Sequence, residues 1–238
     1  LLQTVGSGGV MRSIIVNPAT HNIYLNASGV TKKVDPNTYA VTSTTLAVQA
    51  VNPATNRLYV WATNATQVLD GTTESVIATL PASGLVAVDT TRNHIYITDS
   101  ASSSIKVFDG ATNTLIGAIS LPAGTSPGAM AVNSTTAMIY LISGTNLLVI
   151  KPSDHYGAWT TKASLPAARF GAAGAVIDGI LYLAGGYNGS DTPTLQAYHP
   201  ATDTWSTLAA MPAGRYSGNG AGVIGGKLYV AGGWTTSP

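Results

Sequence analysis

The chain has 238 residues, of which 45% are hydrophobic and only 9% are charged, and its formal net charge is +1. This length suits one all-β domain with a sizeable core, whereas an ordinary globular domain carries about 25% charged residues. The near-neutral charge argues against binding of nucleic acid or an anionic membrane. No apolar run approaches the ~20 residues of a membrane span. The lack of cysteine excludes disulfides and thiolate chemistry.

One short pattern recurs along the chain, an apolar residue followed by tyrosine, at intervals of about 35 to 47 residues. The six tyrosines of this pattern are Tyr24, Tyr59, Tyr96, Tyr140, Tyr182 and Tyr229. Around Tyr96, residues 86–120 alternate apolar and polar positions in short runs that are separated by turn residues such as Asp109-Gly110. Four short strands in a unit of this length are typical of one blade of a β-propeller.

The first four repeats resemble the YVTN-type propeller repeat of surface-layer proteins. Residues 51–60, VNPATNRLYV, carry the resemblance best, and residues 16–20, VNPAT, match it in the first repeat. The third and fourth repeats depart from it, with Asp-Thr at 89–90 and Asn-Ser at 133–134 in place of Asn-Pro. The resemblance implies a propeller at the surface of a prokaryotic cell.

The last two repeats resemble kelch repeats. Glycine pairs at 185–186 and 232–233 close their second strands, and residues 198–205, YHPATDTW, are similar to the turn between the third and fourth kelch strands. Residues 165–169 and 211–215 are similar to the segment that leads into the next kelch blade. We therefore expect one domain over residues 1–238, with YVTN-like blades over 1–155 and kelch-like blades over 156–238.

The expected fold is an all-β, six-bladed propeller of four-stranded antiparallel blades, without helix. After the glycine pair at 232–233 too few residues remain for two further strands in the last blade. Residues 1–8 resemble the fourth-strand segment 115–124, so we expect this N-terminal strand to join residues 227–231 and close the ring. The third strand of that blade stays unassigned, and its open edge is a predicted point of self-assembly.

Two arginines occupy the same slot of consecutive blades, in the connection that enters the innermost strand: Arg169 before Phe170, and Arg215 before Tyr216. Kelch propellers that bind peptides or sugars often present arginines from this slot, so the resemblance implies a ligand site here. Arg12 is predicted to lie nearby, because ring closure makes the first blade a neighbour of the last. The alternative is that each arginine binds backbone carbonyls within the fold.

Other polar residues give weaker signals for chemistry. The chain has a single glutamate, Glu74, its aspartates mostly occupy turn positions, and its four histidines show no metal-ligand spacing. We predict no catalytic residue, metal or cofactor. Four sequons are possible glycosylation sites, about as many as chance gives: Asn26, Asn64, Asn133 and Asn188.

The favoured hypothesis is a non-catalytic extracellular or cell-surface propeller that acts as an adhesion, surface-coat or fibre-forming module. It would bind protein or carbohydrate at the propeller face, with no nucleic acid and no membrane insertion. The alternative is a propeller enzyme, a lyase or a sugar-active kelch-type enzyme, with its site at the channel mouth.

Overall fold

The computed structural model describes residues 11–27, 30–150 and 160–235, apart from the side chains of residues 11, 12, 27, 30 and 217–220. These residues form 22 β-strands. Every sheet is antiparallel, and the described ranges contain no helix, as the repeat pattern predicts. Accordingly, no helix in those ranges is long and apolar enough to cross a membrane.

Five sheets have four strands each, ordered as in the sequence. The first is β1 (Met11–Val16), β2 (Ile23–Ala27), β3 (Val30–Val34) and β4 (Val41–Thr44). The second is β5 (Val48–Asn52), β6 (Arg57–Ala62), β7 (Ala65–Asp70) and β8 (Val76–Leu80). The third is β9 (Val86–Asp89), β10 (His94–Asp99), β11 (Ser104–Asp109) and β12 (Leu115–Ser120).

The fourth sheet is β13 (Ala129–Asn133), β14 (Met138–Ser143), β15 (Asn146–Ile150) and β16 (Thr160–Thr161). The fifth is β17 (Ala173–Ile177), β18 (Ile180–Ala184), β19 (Leu195–His199) and β20 (Thr204–Leu208). The sixth contains only β21 (Tyr216–Ile224) and β22 (Lys227–Trp234). The first strands of consecutive sheets lie side by side, and β1 lies beside β21, so these six strands form a ring.

The core consists of apolar layers between consecutive blades. One buried cluster joins the second and third blades through Tyr59, Ile95 and Phe108, and another joins the fourth and fifth through Tyr140, Leu181 and Tyr198. Similar clusters lie between the first and second blades and between the third and fourth. The second, third and fourth sheets thus bury both faces against their neighbours, as expected for sheets too small to be stable alone.

The six repeated tyrosines all lie in second strands, which confirms the predicted equivalence. From the second blade onward each is paired with a small residue of the innermost strand: Ala50, Ala87, Ala131, Ala175 and Gly222. The first four tyrosines are at most 2% exposed. The ring of each therefore fills the layer to the next blade.

Side-chain caps organise the turns, as the sequence predicts. Asp70 and Asp109 each accept hydrogen bonds from two backbone amides and a threonine hydroxyl within their own turns. Both turns then contain a residue with positive φ, Glu74 and Asn113 respectively. At the other turn of the blade, a buried Asn52 bridges to Asn93 of the next blade at 2.5 Å, so these turns also link neighbours.

The predicted number of complete blades is wrong: the structure has five four-stranded blades, and its sixth sheet has two strands. Only Thr235 follows β22 in the described part of the chain, so no length remains there for a third and fourth strand. As a result Tyr229 is 48% exposed, whereas its counterparts in the first four blades are buried. The predicted closing strand, residues 1–8, lies outside the described residues.

Candidate binding site at the fifth and sixth blades

The predicted arginine slot has one geometry in both kelch-like blades. The guanidinium of Arg169 donates to the carbonyl oxygen of Gly185 at 3.3 Å, and that of Arg215 donates to the carbonyl oxygen of Gly232 at 2.9 Å. Each acceptor is the first residue of a glycine pair. Gly185 directly follows β18, and Gly232 lies near the end of β22. Each arginine therefore ties the connection that enters its blade to that blade's second strand.

The two arginines differ in burial. Arg169 is 5% exposed, and its second terminal nitrogen donates to Oε1 of Gln196 in β19 at 2.5 Å. Desolvation lowers the pKa of the Arg169 guanidinium. Arg215 is half-buried and belongs to a sheet whose described residues include no third strand, so it has no counterpart of Gln196 there.

Beside the arginines lie three aromatic rings in mutual contact: Phe170, Tyr187 and Tyr216, called the aromatic cluster below. The centroid of the Tyr187 ring is 5.3 Å from that of Phe170 and 4.8 Å from that of Tyr216, and the Phe170 and Tyr216 centroids are 5.9 Å apart. Phe170 is 54% exposed, and the two tyrosines are half-buried. The cluster thus offers an apolar surface with two phenol groups.

Backbone hydrogen bonds hold the aromatic cluster in place. Phe170 and Tyr187 exchange both of their amide bonds, at 3.1 and 2.9 Å, and the amide of Gly186 donates to the carbonyl of Arg215. Gly186 has a φ of 107°, and a Cβ at this position would lie 3.0 Å from the Arg169 side chain. The glycine pair is therefore needed both for this backbone conformation and for the close approach of Arg169.

The structure brings four of the five predicted ligand-site residues together: Arg169, Phe170, Arg215 and Tyr216. The fifth, Arg12, belongs to β1, which lies beside β21, but its side chain falls outside the described part. Tyr187 is a member that the sequence reasoning missed. Its position directly after the glycine pair at 185–186 is the signal that could have identified it, because that pair turns the chain back towards the arginine slot.

The other predicted positions are dispersed. Asn64 and Asn188 are exposed in turns, Asn26 is half-buried and donates to Ser13 and to the carbonyl of Val48, and Asn133 is buried. The described residues contain no group of three histidine or acidic side chains that could hold a metal ion.

Comparison with known proteins connects this site to one family. The family model of the Kelch motif matches residues 168–212, which begin one residue before Arg169 and end three residues before Arg215. This segment is similar to one kelch repeat. The Kelch-like protein terF of Aspergillus terreus is 40% identical over 84 residues, which cover 32% of this chain and 18% of that protein.

Two further comparisons bear on the kelch repeat and the fold. Kelch-like ECH-associated protein 1B of Danio rerio is 40% identical over 82 residues, 32% of this chain and 14% of that protein. The chain thus matches less than one fifth of the length of either curated relative. A solved structure described as "Structure of YjhT" superposes with a TM-score of 0.68 over 96% of this chain and 92% of that chain, at 15% identity. That likeness shows the fold alone.

Proposed function

We propose that the chain is a protein-binding propeller whose docking surface is the aromatic cluster of Phe170, Tyr187 and Tyr216. The observation that carries the proposal is the exposure of Phe170, 54%, within a cluster that backbone bonds hold rigid. Exposed aromatic side chains at pre-organised positions are typical hot spots of protein interfaces. The kelch-like relatives support the same class, because kelch propellers commonly act as protein-binding modules.

The expected partner is an extended peptide with an apolar side chain and a carboxylate. The apolar side chain would pack on Phe170, and the two tyrosine hydroxyls can bind main-chain groups. Arg215 is half-buried and uses one terminal nitrogen for Gly232. Its guanidinium has no other hydrogen-bond partner among the described residues, so the rest of its fork can bind a carboxylate. Arg169 then acts as a positioning residue, because its guanidinium is committed to Gly185 and Gln196.

The test is selection from a phage-displayed random peptide library, followed by affinity measurement for the selected peptides by biolayer interferometry. Phe170→Ala should weaken binding at least about fivefold, since loss of a hot-spot side chain costs more than ~1 kcal/mol. Tyr39→Ala is the matched control, because Tyr39 is a similarly exposed aromatic residue in the first blade, at 61%. Peptides that bind both variants and the parent equally would refute the docking surface.

A second proposal concerns the open edge of the sixth sheet. Its apolar residues Val223, Ile224, Tyr229 and Trp234 are between 41% and 52% exposed, and among the described residues β22 is hydrogen-bonded to no strand other than β21. An open edge of this kind accepts an added strand through main-chain hydrogen bonds. We propose that residues 1–8 are this strand and close the ring.

Two observations support that choice of occupant. β1 lies beside β22, so the chain enters β1 next to the open sheet. At about 3.3 Å per residue, eight residues are as long as β22. Residues 1–5, LLQTV, also repeat the apolar character of the fourth-strand segment that begins at Leu115.

Hydrogen exchange tests the closing strand. In the full chain we expect protected amides along β22, and deletion of residues 1–8 should expose them without loss of protection in the second to fourth blades. If β22 is unprotected in the full chain, the proposal is wrong. If protection appears only as the mass doubles in analytical ultracentrifugation, a second copy occupies the edge, which is the self-assembly that the sequence predicts.

The low fraction of charged residues and the likeness of residues 51–60 to a YVTN-type repeat support a place outside the cell, as an extension of the same proposal. Cell fractionation of the source organism with an antibody to the purified chain tests this placement. Recovery in the cytosol alone would contradict it.

A further inference from the structure

A cavity that shares no residue with the aromatic cluster lies between the second and third blades. It has a volume of about 470 Å³ and opens beside Trp61, Gln49 and Ser83 on one side and Asp99, Ser100 and Ser103 on the other. Small-molecule sites in proteins commonly have volumes of about 300–1,000 Å³. The cavity is therefore large enough for a mono- or disaccharide.

Gln49 is placed in this cavity by an irregularity of its strand. Val48 pairs with Val60 and Ala50 pairs with Tyr59, so Gln49 is an extra residue, a β-bulge, in β5. Bulges re-aim side chains and are enriched beside functional sites. Oε1 of Gln49 is buried and finds no hydrogen-bond donor in the described ranges. A buried acceptor without a donor is unfavourable, and a ligand hydroxyl could supply the missing bond.

Trp61 provides an apolar surface beside the polar Gln49. Its side chain is 51% exposed at the end of β6, while its backbone amide donates to the carbonyl of Ala47 and fixes the strand. An indole exposed in this way offers a rigid flat apolar face at the edge of a polar cavity. Such a face matches the C–H side of a sugar ring, whose hydroxyls can then reach Gln49.

The charges around the cavity indicate a neutral ligand. Asp99 is the charged residue in its lining, and that carboxylate is already paired with Lys106 at 2.9 Å and accepts a hydrogen bond from Ser102 at 2.6 Å. Lys106 also donates to the carbonyl of Pro81, so its ammonium group is held away from the role of an anion receptor. The remaining polar lining consists of hydroxyl groups and one amide, which suit hydroxyl groups of a ligand.

We infer that this cavity is a binding site for a neutral sugar, stacked on Trp61 and donating a hydroxyl hydrogen bond to Gln49. The site is separate from the proposed protein-docking surface. The two proposals can therefore fail independently.

The experiment uses matched sugar pairs that differ only in a carboxylate: the methyl glycosides of glucose and galactose, and those of glucuronate and galacturonate. Binding to the full chain is measured by saturation-transfer NMR and by titration of tryptophan fluorescence. A neutral member should bind, and its acidic partner should bind more weakly. Trp61→Ala should abolish detectable binding, and Gln49→Leu should weaken it roughly fivefold, as expected for loss of one net hydrogen bond.

Two controls make the result decisive. Trp234→Ala removes another exposed indole, 41% exposed against 51% for Trp61, from the sixth sheet and should leave sugar binding unchanged. Gln49→Leu removes an unpaired buried acceptor, so its melting temperature should not fall, which keeps the test valid if Trp61→Ala folds poorly. The inference is overturned if no neutral glycoside binds, if the acidic partner binds more tightly, or if Gln49→Leu and Trp61→Ala both bind like the parent.

Discussion

Arg169 and Arg215 occupy equivalent positions, yet the structure predicts that they differ in their contribution to stability. Replacement of each by methionine keeps most of the apolar stem and removes the guanidinium. In Arg169→Met, the carbonyl of Gly185 and Oε1 of Gln196 both lose their donor in a buried environment. An unsatisfied buried acceptor costs about 1–3 kcal/mol, so we expect a loss of about 3 kcal/mol in the free energy of unfolding.

Arg215→Met should have a much smaller effect. Among the described residues it removes one hydrogen bond, to the carbonyl of Gly232, at a half-buried position that water can reach. We expect a loss of at most ~1 kcal/mol. For a domain of this size ~1 kcal/mol shifts the melting temperature by roughly 2–4 °C, so Arg169→Met should melt roughly 6–12 °C below the parent and Arg215→Met roughly 2–4 °C below it.

Differential scanning calorimetry and urea denaturation measure both changes. Arg169→Lys serves as an intermediate control, because it keeps the charge but has no planar fork that reaches two acceptors. Equal shifts for Arg169→Met and Arg215→Met would refute the reasoning. So would a parent-like melting temperature for Arg169→Met, which would show that Arg169 is free for a ligand.

Three further outcomes are expected. Gly84→Ala should destabilise strongly, because a Cβ there would overlap the carbonyl oxygen of Thr98, and thermal unfolding measures the loss. Tyr96→Ser should lower the free energy of unfolding by about 3 kcal/mol, because Tyr96 is only 1% exposed. Tyr229→Ser should change it little, because Tyr229 is 48% exposed. Equal urea midpoints for the two variants would contradict this. Hydrogen bonds from its turn lower the pKa of Asp109 in the folded state. The contribution of Asp109 to the free energy of unfolding is therefore complete above the unfolded pKa and is lost as the pH falls through the folded pKa. Asp109→Asn should reduce this dependence of stability on acid pH, as measured by urea denaturation at several pH values.

The repeat pattern predicted much of the fold because it reports burial directly. A tyrosine after an apolar residue marks the second strand in all six sheets, and the turn aspartates cap as their sequence context indicates. In the sixth blade the local pattern predicts the second strand correctly, as it does in the other five. Completion of the blade, however, depends on segments distant in sequence, which no local pattern specifies.

The candidate sites were less accessible to sequence reasoning. The arginine slot was identified because two blades repeat it. Tyr187 enters the aromatic cluster through a backbone pairing with Phe170, and the glycine pair before it indicates a turn but not that pairing partner. Sequence reasoning did not identify Gln49 for a similar reason. A bulge shifts the register of one strand against another, and the sequence of β5 alone does not reveal that shift.

The ring arrangement has a consequence for the entropy of folding. Neighbouring blades meet after the chain has closed a loop of roughly 40 residues, whereas β1 and β21 meet only after a loop of roughly 200 residues has closed. Because the entropy of loop closure grows only as the logarithm of length, this last contact is less favourable than the others by only ~1.4 kcal/mol. A single hydrogen-bonded strand across the seam can offset that difference. The number of blades between the two ends of such a ring can therefore change by duplication or loss with little thermodynamic penalty, provided that the seam itself is kept.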